Sequence, residues 1–246
     1  MRYLPAHSTA ALGEEIAQSV AEAVRKKPDC VFGWPSGRTT LPVLAAIKRL
    51  PQLDLSRAVV VMMDDYAWEN EGGFVNCDPD AHYSCHRWIR EEWGAAIPPS
   101  HQPRFLVPSA SDPAAYEKQI VQLGGIDLFL VGLGATDGHV AFNPPGTPPE
   151  SETRVVELAE TTRLDNLHTF REFRAMEEIP RYGVTVGLKT ILSARRVFAL
   201  AHGEHKADVV LRTLRAGKFV PDLPSTCLYL KDDCHLYVSE LGKEIS

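Results

Sequence analysis

Apolar residues fall at helical spacing along the first predicted element, with Leu12, Ile16, Val20, Ala23 and Val24 on one face between Ser8 and Val24. Lys26-Lys27-Pro28 then supplies a basic last turn and a stop. The next apolar run, Cys30 to Trp34, is short and continuous, as in a strand buried on both faces. It ends in the polar turn Pro35-Ser36-Gly37-Arg38-Thr39-Thr40, and helical spacing resumes from Leu41 through Leu50. The order of strand, polar turn and helix recurs. Ala58 to Met63 ends at Asp64-Asp65, Asp127 to Gly132 ends at a glycine-rich turn, and Val197 to Ala201 ends at His202-Gly203-Glu204-His205-Lys206 before another helix. Thr226 to Leu230 and His235 to Val238 read as a hairpin or as edge strands. This alternation predicts an α/β fold, a mostly parallel sheet flanked by helices with a small antiparallel element.

Composition narrows the class. The chain has 246 residues, 44% hydrophobic and 24% charged, enough apolar material for a large core. With no repeat and no low-complexity linker it reads as a single unit over 1–246. The net charge of −6, with scattered basic residues, gives no field to attract nucleic acid. No apolar run approaches the roughly 18 residues that span a bilayer, and no secretory leader is visible, so the expectation is a soluble cytoplasmic protein without a membrane partner. Five cysteines without a paired CxxC spacing fit a reducing compartment. Cys77, His82, Cys85 and His86 form the only metal-like cluster, but the adjacent Cys85-His86 pair would project in different directions, so buried thiols and a surface histidine are the expectation. No metal and no cofactor are expected.

In open parallel sheets, ligands collect beyond the carboxyl ends of the strands. Four predicted strand ends carry chemistry. Ser36, Gly37, Arg38 and Thr39 could hold a phosphate through hydroxyls and backbone N–H groups, although an ordinary capped turn would look the same. Asp64 and Asp65 follow an apolar strand, where a partly desolvated carboxyl becomes a usable acid or base; either could instead cap a loop. Asp137-Gly138-His139 brings an acid and an imidazole within one turn, the glycine permitting the bend. Lys206 opens a predicted helix, where a cation is mismatched with the dipole unless an anion binds or solvent screens it.

Taken together, Asp64-Asp65-Tyr66, Gly132-Leu133-Gly134 leading to Asp137-Gly138-His139-Val140-Ala141-Phe142-Asn143, the segment Gly183 to Leu188, and Gly203-Glu204-His205-Lys206 resemble the glucosamine-6-phosphate deaminase (isomerase) family, relatives of 6-phosphogluconolactonase. The likeness runs in order through about residues 10 to 240. It implies a Rossmann-like fold and a cofactor-free aldose–ketose isomerisation with loss of ammonia from an amino-sugar 6-phosphate. By position, Asp64 is similar to the proton-transfer carboxylate, and Asp137 with His139 to the ring-opening pair. Ser36, Gly37, Arg38 and Thr39 fall on the phosphate loop, with Lys206 and Arg171 as cationic ligands. The charged stretch 151–180 falls on a lid segment, although a solvated helical face is the plainer reading.

Two residues depart from the pattern the resemblance implies. Pro144 follows Asn143 where deaminases of the family place a glutamate that supports the histidine, and Arg38 stands where a second glycine is usual. Hydrolysis of a sugar-phosphate lactone, or a non-catalytic sugar-phosphate sensor, are the competing readings. The resemblance implies a small-molecule partner and leaves a homo-oligomer open.

Overall fold

A computed structural model describes residues 1–242; the last four residues of the predicted unit lie outside the described ones. In chain order the elements begin β1 (Arg2–Pro5), α1 (Thr9–Lys26), β2 (Val31–Trp34), α2 (Leu41–Ile47), β3 (Val59–Met62), β4 (Asp64–Asn70), β5 (Gly73–Asn76), α3 (Cys85–Trp88) and α4 (Gly94–Ala96). They continue with β6 (Arg104–Leu106), α5 (Pro113–Gln122), β7 (Leu128–Gly132), β8 (Arg154–Glu157), α6 (Glu160–Thr169), β9 (Tyr182–Thr185), α7 (Leu188–Ser193), β10 (Arg196–His202), α8 (Ala207–Ala216) and β11 (Cys234–Ser239).

Seven strands form one sheet in the order β1-β11-β10-β7-β2-β3-β6, and every pairing is parallel. Alternate residues feed two cores, as a sheet buried on both faces requires. Val59, Val61, Phe129, Val131, Val197 and Ala199 pack on one face. Phe32, Val60, Met62, Leu128, Leu130 and Phe198 pack on the other, beneath α1 and α2. From β2 the strands run outward to β3 and β6; from β7 they run the opposite way to β10 and β11. Loops leaving β2 and β7 therefore diverge and open a crevice at the carboxyl edge.

A second sheet, β5-β4-β9-β8, is wholly antiparallel. Only Met63 separates β3 from β4, and it is pinned on both sides: its N–H donates to Trp34 O at 3.0 Å and its carbonyl accepts from Val186 N at 2.8 Å. The chain thus passes from one sheet to the other at a single residue, and Asp64 is the first residue beyond it.

The observed elements differ from the sequence expectations in definite places. Asp64 and Asp65 begin a strand and do not lie in a loop. The antiparallel element is this second sheet, not a hairpin near the carboxyl terminus. Thr226 to Leu230 belongs to a 3-10 helix, Pro224–Leu230, because the Thr226 hydroxyl donates to Leu223 O at 2.6 Å and accepts from Val220 N at 2.8 Å, closing tight local turns. β11 sits inside the parallel sheet between β1 and β10. The edge strand β1 was not foreseen. The helix from Leu41 stops at Ile47, and 151–180 contributes β8 as well as α6. Among the described residues no helix is long and apolar enough to cross a membrane.

Candidate active site

A cavity of about 360 Å³ opens at the crevice between the β2 and β7 loops. Its lining includes Ser36, Gly37, Arg38 and Thr39 after β2, Asp64 at the start of β4, His139 after β7, and Lys206 before α8. Stretches separated by more than a hundred residues meet there because their strands are neighbours in one sheet. Asp137 stands behind His139 and does not line the cavity. Arg171 is exposed beyond the end of α6 and does not line it either.

The two adjacent aspartates have different surroundings, since successive residues of a strand point to opposite faces. Asp65 faces protein: its carboxylate accepts from Tyr66 N at 3.0 Å, Asn76 Nδ2 at 3.0 Å, Cys85 N at 3.0 Å and Cys77 Sγ at 3.5 Å. Cys77 and Cys85, expected to be buried thiols, are buried and help to cradle this carboxylate. Asp64 faces the cavity and is 8% exposed, and its carboxyl makes neither a hydrogen bond nor an ion pair among the described residues. Burial, reinforced by the charge of Asp65, pushes its carboxyl up to about 8.

His139 Nδ1 lies 2.7 Å from Asp137 Oδ1, and the His139 backbone N–H donates to the same oxygen at 3.0 Å. With a carboxylate as acceptor, Nδ1 carries the proton and Nε2 offers its lone pair. Burial would raise the Asp137 carboxyl, but the bond from His139, its charge and the Thr161 hydroxyl outweigh that and hold it well below the usual range. Gly134 makes room for the ring, since a Cβ there would sit 2.3 Å from Nδ1. Ala141 lines the cavity at φ 55°, an uncommon conformation for a residue with a Cβ, in the turn that carries Phe142 to the cavity wall.

At the other end of the cavity the charges are positive. Gly37, at φ 89°, turns the chain into a short 3-10 segment, Arg38–Thr40, that leads into α2. Gly132 lets Thr39 come close, because a Cβ at 132 would stand 3.2 Å from Thr39 Oγ1. Arg38 reaches across to α6, donating from Nη2 to Thr169 Oγ1 at 3.1 Å. Lys206 donates to the Leu133 carbonyl and has no ion-pair partner among the described residues; burial lowers its affinity for its proton. Asp165, on α6, is the acid facing this end. Two residues that sequence reasoning left without a role, His202 and His205, also line it. Burial and the charge of Lys206 lower both, although the bond between His202 Nε2 and Thr39 O, 3.2 Å long, opposes the effect. Tyr66, Phe142 and Phe170 form an aromatic wall, with Phe170 contributed from the end of α6. Their helical or strand periodicity alone would not separate them from core residues.

The chain matches the family model for glucosamine-6-phosphate isomerases/6-phosphogluconolactonase over residues 5–236. It belongs to that family. Among its relatives, a glucosamine-6-phosphate deaminase from Bacillus pumilus is 33% identical, with 92% of each chain covered. Another, from Pseudarthrobacter chlorophenolicus, is 36% identical over 93% of this chain and 86% of the relative. The solved structure of a monomeric glucosamine-6-phosphate deaminase superposes with a TM-score of 0.84 at 29% identity, covering 98% of each chain. A 6-phosphogluconolactonase from Shewanella baltica shares the fold, with a TM-score of 0.69 at 16% identity over 98% of this chain and 97% of that one.

Proposed function

We propose that the protein is an enzyme that converts glucosamine 6-phosphate to fructose 6-phosphate and ammonia. The observation that carries this reading is Asp64, a buried carboxyl that faces the cavity and makes no side-chain hydrogen bond or ion pair among the described residues. Lactone hydrolysis needs no group to carry a proton between carbons; an aldose–ketose isomerisation does. The 33–36% identity to proteins named as deaminases supports the same choice.

The phosphate is held by Ser36, Gly37 and Thr39 with the charges of Arg38 and Lys206, and its binding fixes the sugar with its reactive carbons beside Asp64 and His139. Arg38 replaces Arg171 as the second cation, since Arg38 lines the cavity and Arg171 does not. His139 Nε2 accepts the proton of the anomeric hydroxyl and returns it to the ring oxygen, opening the pyranose while Asp137 steadies the ring. Asp64 then takes the proton from C2 and delivers it to C1, while one proton of the ammonium group passes to the C1 oxygen, leaving an iminium at C2. Water adds to that carbon and ammonia departs, giving the ketose.

Asp64 must be ionised to take the C2 proton, yet its enclosure pushes its carboxyl up to about 8. The substrate amine is an ammonium group at neutral pH, and an opposite charge nearby favours the carboxylate, so binding the substrate activates the base. Closure of α6 over the sugar would exclude water during proton transfer. All of these groups come from one chain, so the site requires no second copy. The five buried, unpaired thiols fit a reducing cytoplasm.

The test is a panel of glucosamine 6-phosphate, galactosamine 6-phosphate and 6-phosphogluconolactone assayed together for ammonia, ketose phosphate and acid. Ammonia and fructose 6-phosphate released in equal amounts support the proposal. Acid from the lactone above the spontaneous rate, without ammonia from either amino sugar, would replace it with a lactonase.

A further inference from the structure

Outside the groups assigned so far, the first turn of α6 makes polar contacts with the Asp137–His139 pair. Thr161 Oγ1 donates to Asp137 Oδ2 at 2.5 Å, and Thr162 Oγ1 lies 3.2 Å from His139 Nδ1. Among the described residues the partners of these hydroxyls are the dyad's side chains, and Ala159, the residue before α6, has no side chain that could cap the helix. Hydroxyls in a first turn commonly satisfy the free N–H groups there. Here they are directed at the dyad.

We propose that Thr161 is a positioning residue for the ring-opening dyad, delivered by α6 from outside the turn that carries Asp137 and His139. The inference rests on the reading of His139 as the group that opens the sugar ring.

The physical reason lies in the two oxygens of the carboxylate. Both donors from His139 fall on Oδ1, the backbone N–H at 3.0 Å and Nδ1 at 2.7 Å. With Oδ2 unheld, the group can rotate about its Cβ–Cγ bond, a soft torsion, and misalign Oδ1 from the ring. The Thr161 bond to Oδ2 closes that freedom. A fixed Oδ1 keeps the proton on Nδ1, and the lone pair on Nε2 then points consistently at the sugar. Thr162 supplies a second oxygen near Nδ1 and, at 4% exposure, is buried against the ring. The far end of α6 is fastened to the phosphate loop by Arg38 and Thr169. One helix therefore touches both ends of the site, so displacing it would release the dyad as well as open the cavity.

Three proteins test this: the parent, Thr161→Val, which keeps shape and removes the hydroxyl, and Thr161→Ser, which restores it. For Thr161→Val we expect kcat to fall about 10- to 100-fold, the worth of a hydrogen bond to a charged group, with KM within about threefold. Thr161→Ser should recover most of the lost rate. In ligand-free protein labelled with 15N histidine, the His139 ring should show protonated Nδ1 and unprotonated Nε2 in the parent and Ser variant, and a mixture of tautomers in the Val variant. An unchanged kcat, no recovery with serine, or an unchanged ring spectrum would each overturn the proposal. The spectrum needs no substrate, so it still reads Thr161 if the parent turns out not to release ammonia, an outcome that counts against the proposed reaction instead.

Discussion

At the amino end of the parallel strands, Asp127 is saturated: Lys27 Nζ at 2.7 Å and Val31 N at 2.9 Å reach Oδ2, and Arg195 Nε reaches Oδ1 at 3.1 Å. At the carboxyl end, the Asp64 carboxyl is equally enclosed and has no partner among the described residues, and Lys206 faces Asp165 across the cavity without an ion pair among them. A buried charge without a partner is costly, and selection for stability alone would remove it. The fold tolerates two such groups at one edge while neutralising the charge at the other. The difference separates charges that fasten the sheet from charges kept available for something that binds.

Asp64→Asn probes the comparison most severely. Turnover should fall by three orders of magnitude or more, an estimate of roughly 4 kcal/mol in transition-state stabilisation, while KM changes little. Stability should move the other way. A carboxyl raised from 3.8 to about 8 in the folded protein contributes stability in its protonated form, complete below the ordinary carboxylate range and lost as pH rises through about 8. The asparagine variant has no such loss. Thermal melts should therefore show it gaining on the parent between pH 5 and pH 9. In the parent, kcat/KM should climb with pH toward a midpoint near 8, since that quantity reports the free enzyme. A variant no more stable at pH 9 than at pH 5, relative to the parent, would mean that Asp64 is not an enclosed lone acid.

Lys206→Met comes next in size. Removing the charge should raise KM about 10- to 100-fold and leave the fold intact or slightly more stable, because methionine fills the space without a buried ammonium. Inorganic phosphate should protect the parent from thermal unfolding and protect the variant less. Equal protection of both would place the anion elsewhere.

Much of this edge was legible in the sequence because continuous apolar runs announce parallel strands, and the residues just past them must lie at one end of the sheet. The turn after β2, the Asp-Gly-His turn and Lys206 were placed at this edge that way. The division of labour between Asp64 and Asp65 was not. It depends on the chain crossing between sheets at Met63, and on donors from Asn76, Cys77 and Cys85 that no local spacing connects to Asp65. Arg171 and Arg38 illustrate the same limit. Which arginine lines the cavity is set by where α6 stops over it, a matter of packing between distant segments. Thr161 and Thr162 escaped notice because two hydroxyls in a charged stretch look like any solvated helix. The 3-10 helix at Pro224–Leu230 was mistaken for a strand because its apolar and β-branched run carries no period that separates the two.

The smallest effect is expected at the amino edge, and it is the control for the whole comparison. Asp127→Asn keeps an acceptor for the Val31 N–H but loses both ion pairs. Their partners are well exposed, with Lys27 at 39% and Arg195 at 68% of side-chain area open to water, so screening limits the loss to about 1 kcal/mol. Urea unfolding should show that loss at low ionic strength and less of it in 1 M salt, since screening reaches only the exposed pairs. Because Asp127 lies at the opposite end of β7 from the cavity, kcat/KM should not change. If it falls as far as in Lys206→Met, the two edges are mechanically coupled, and charges at the amino end are then part of the same site after all.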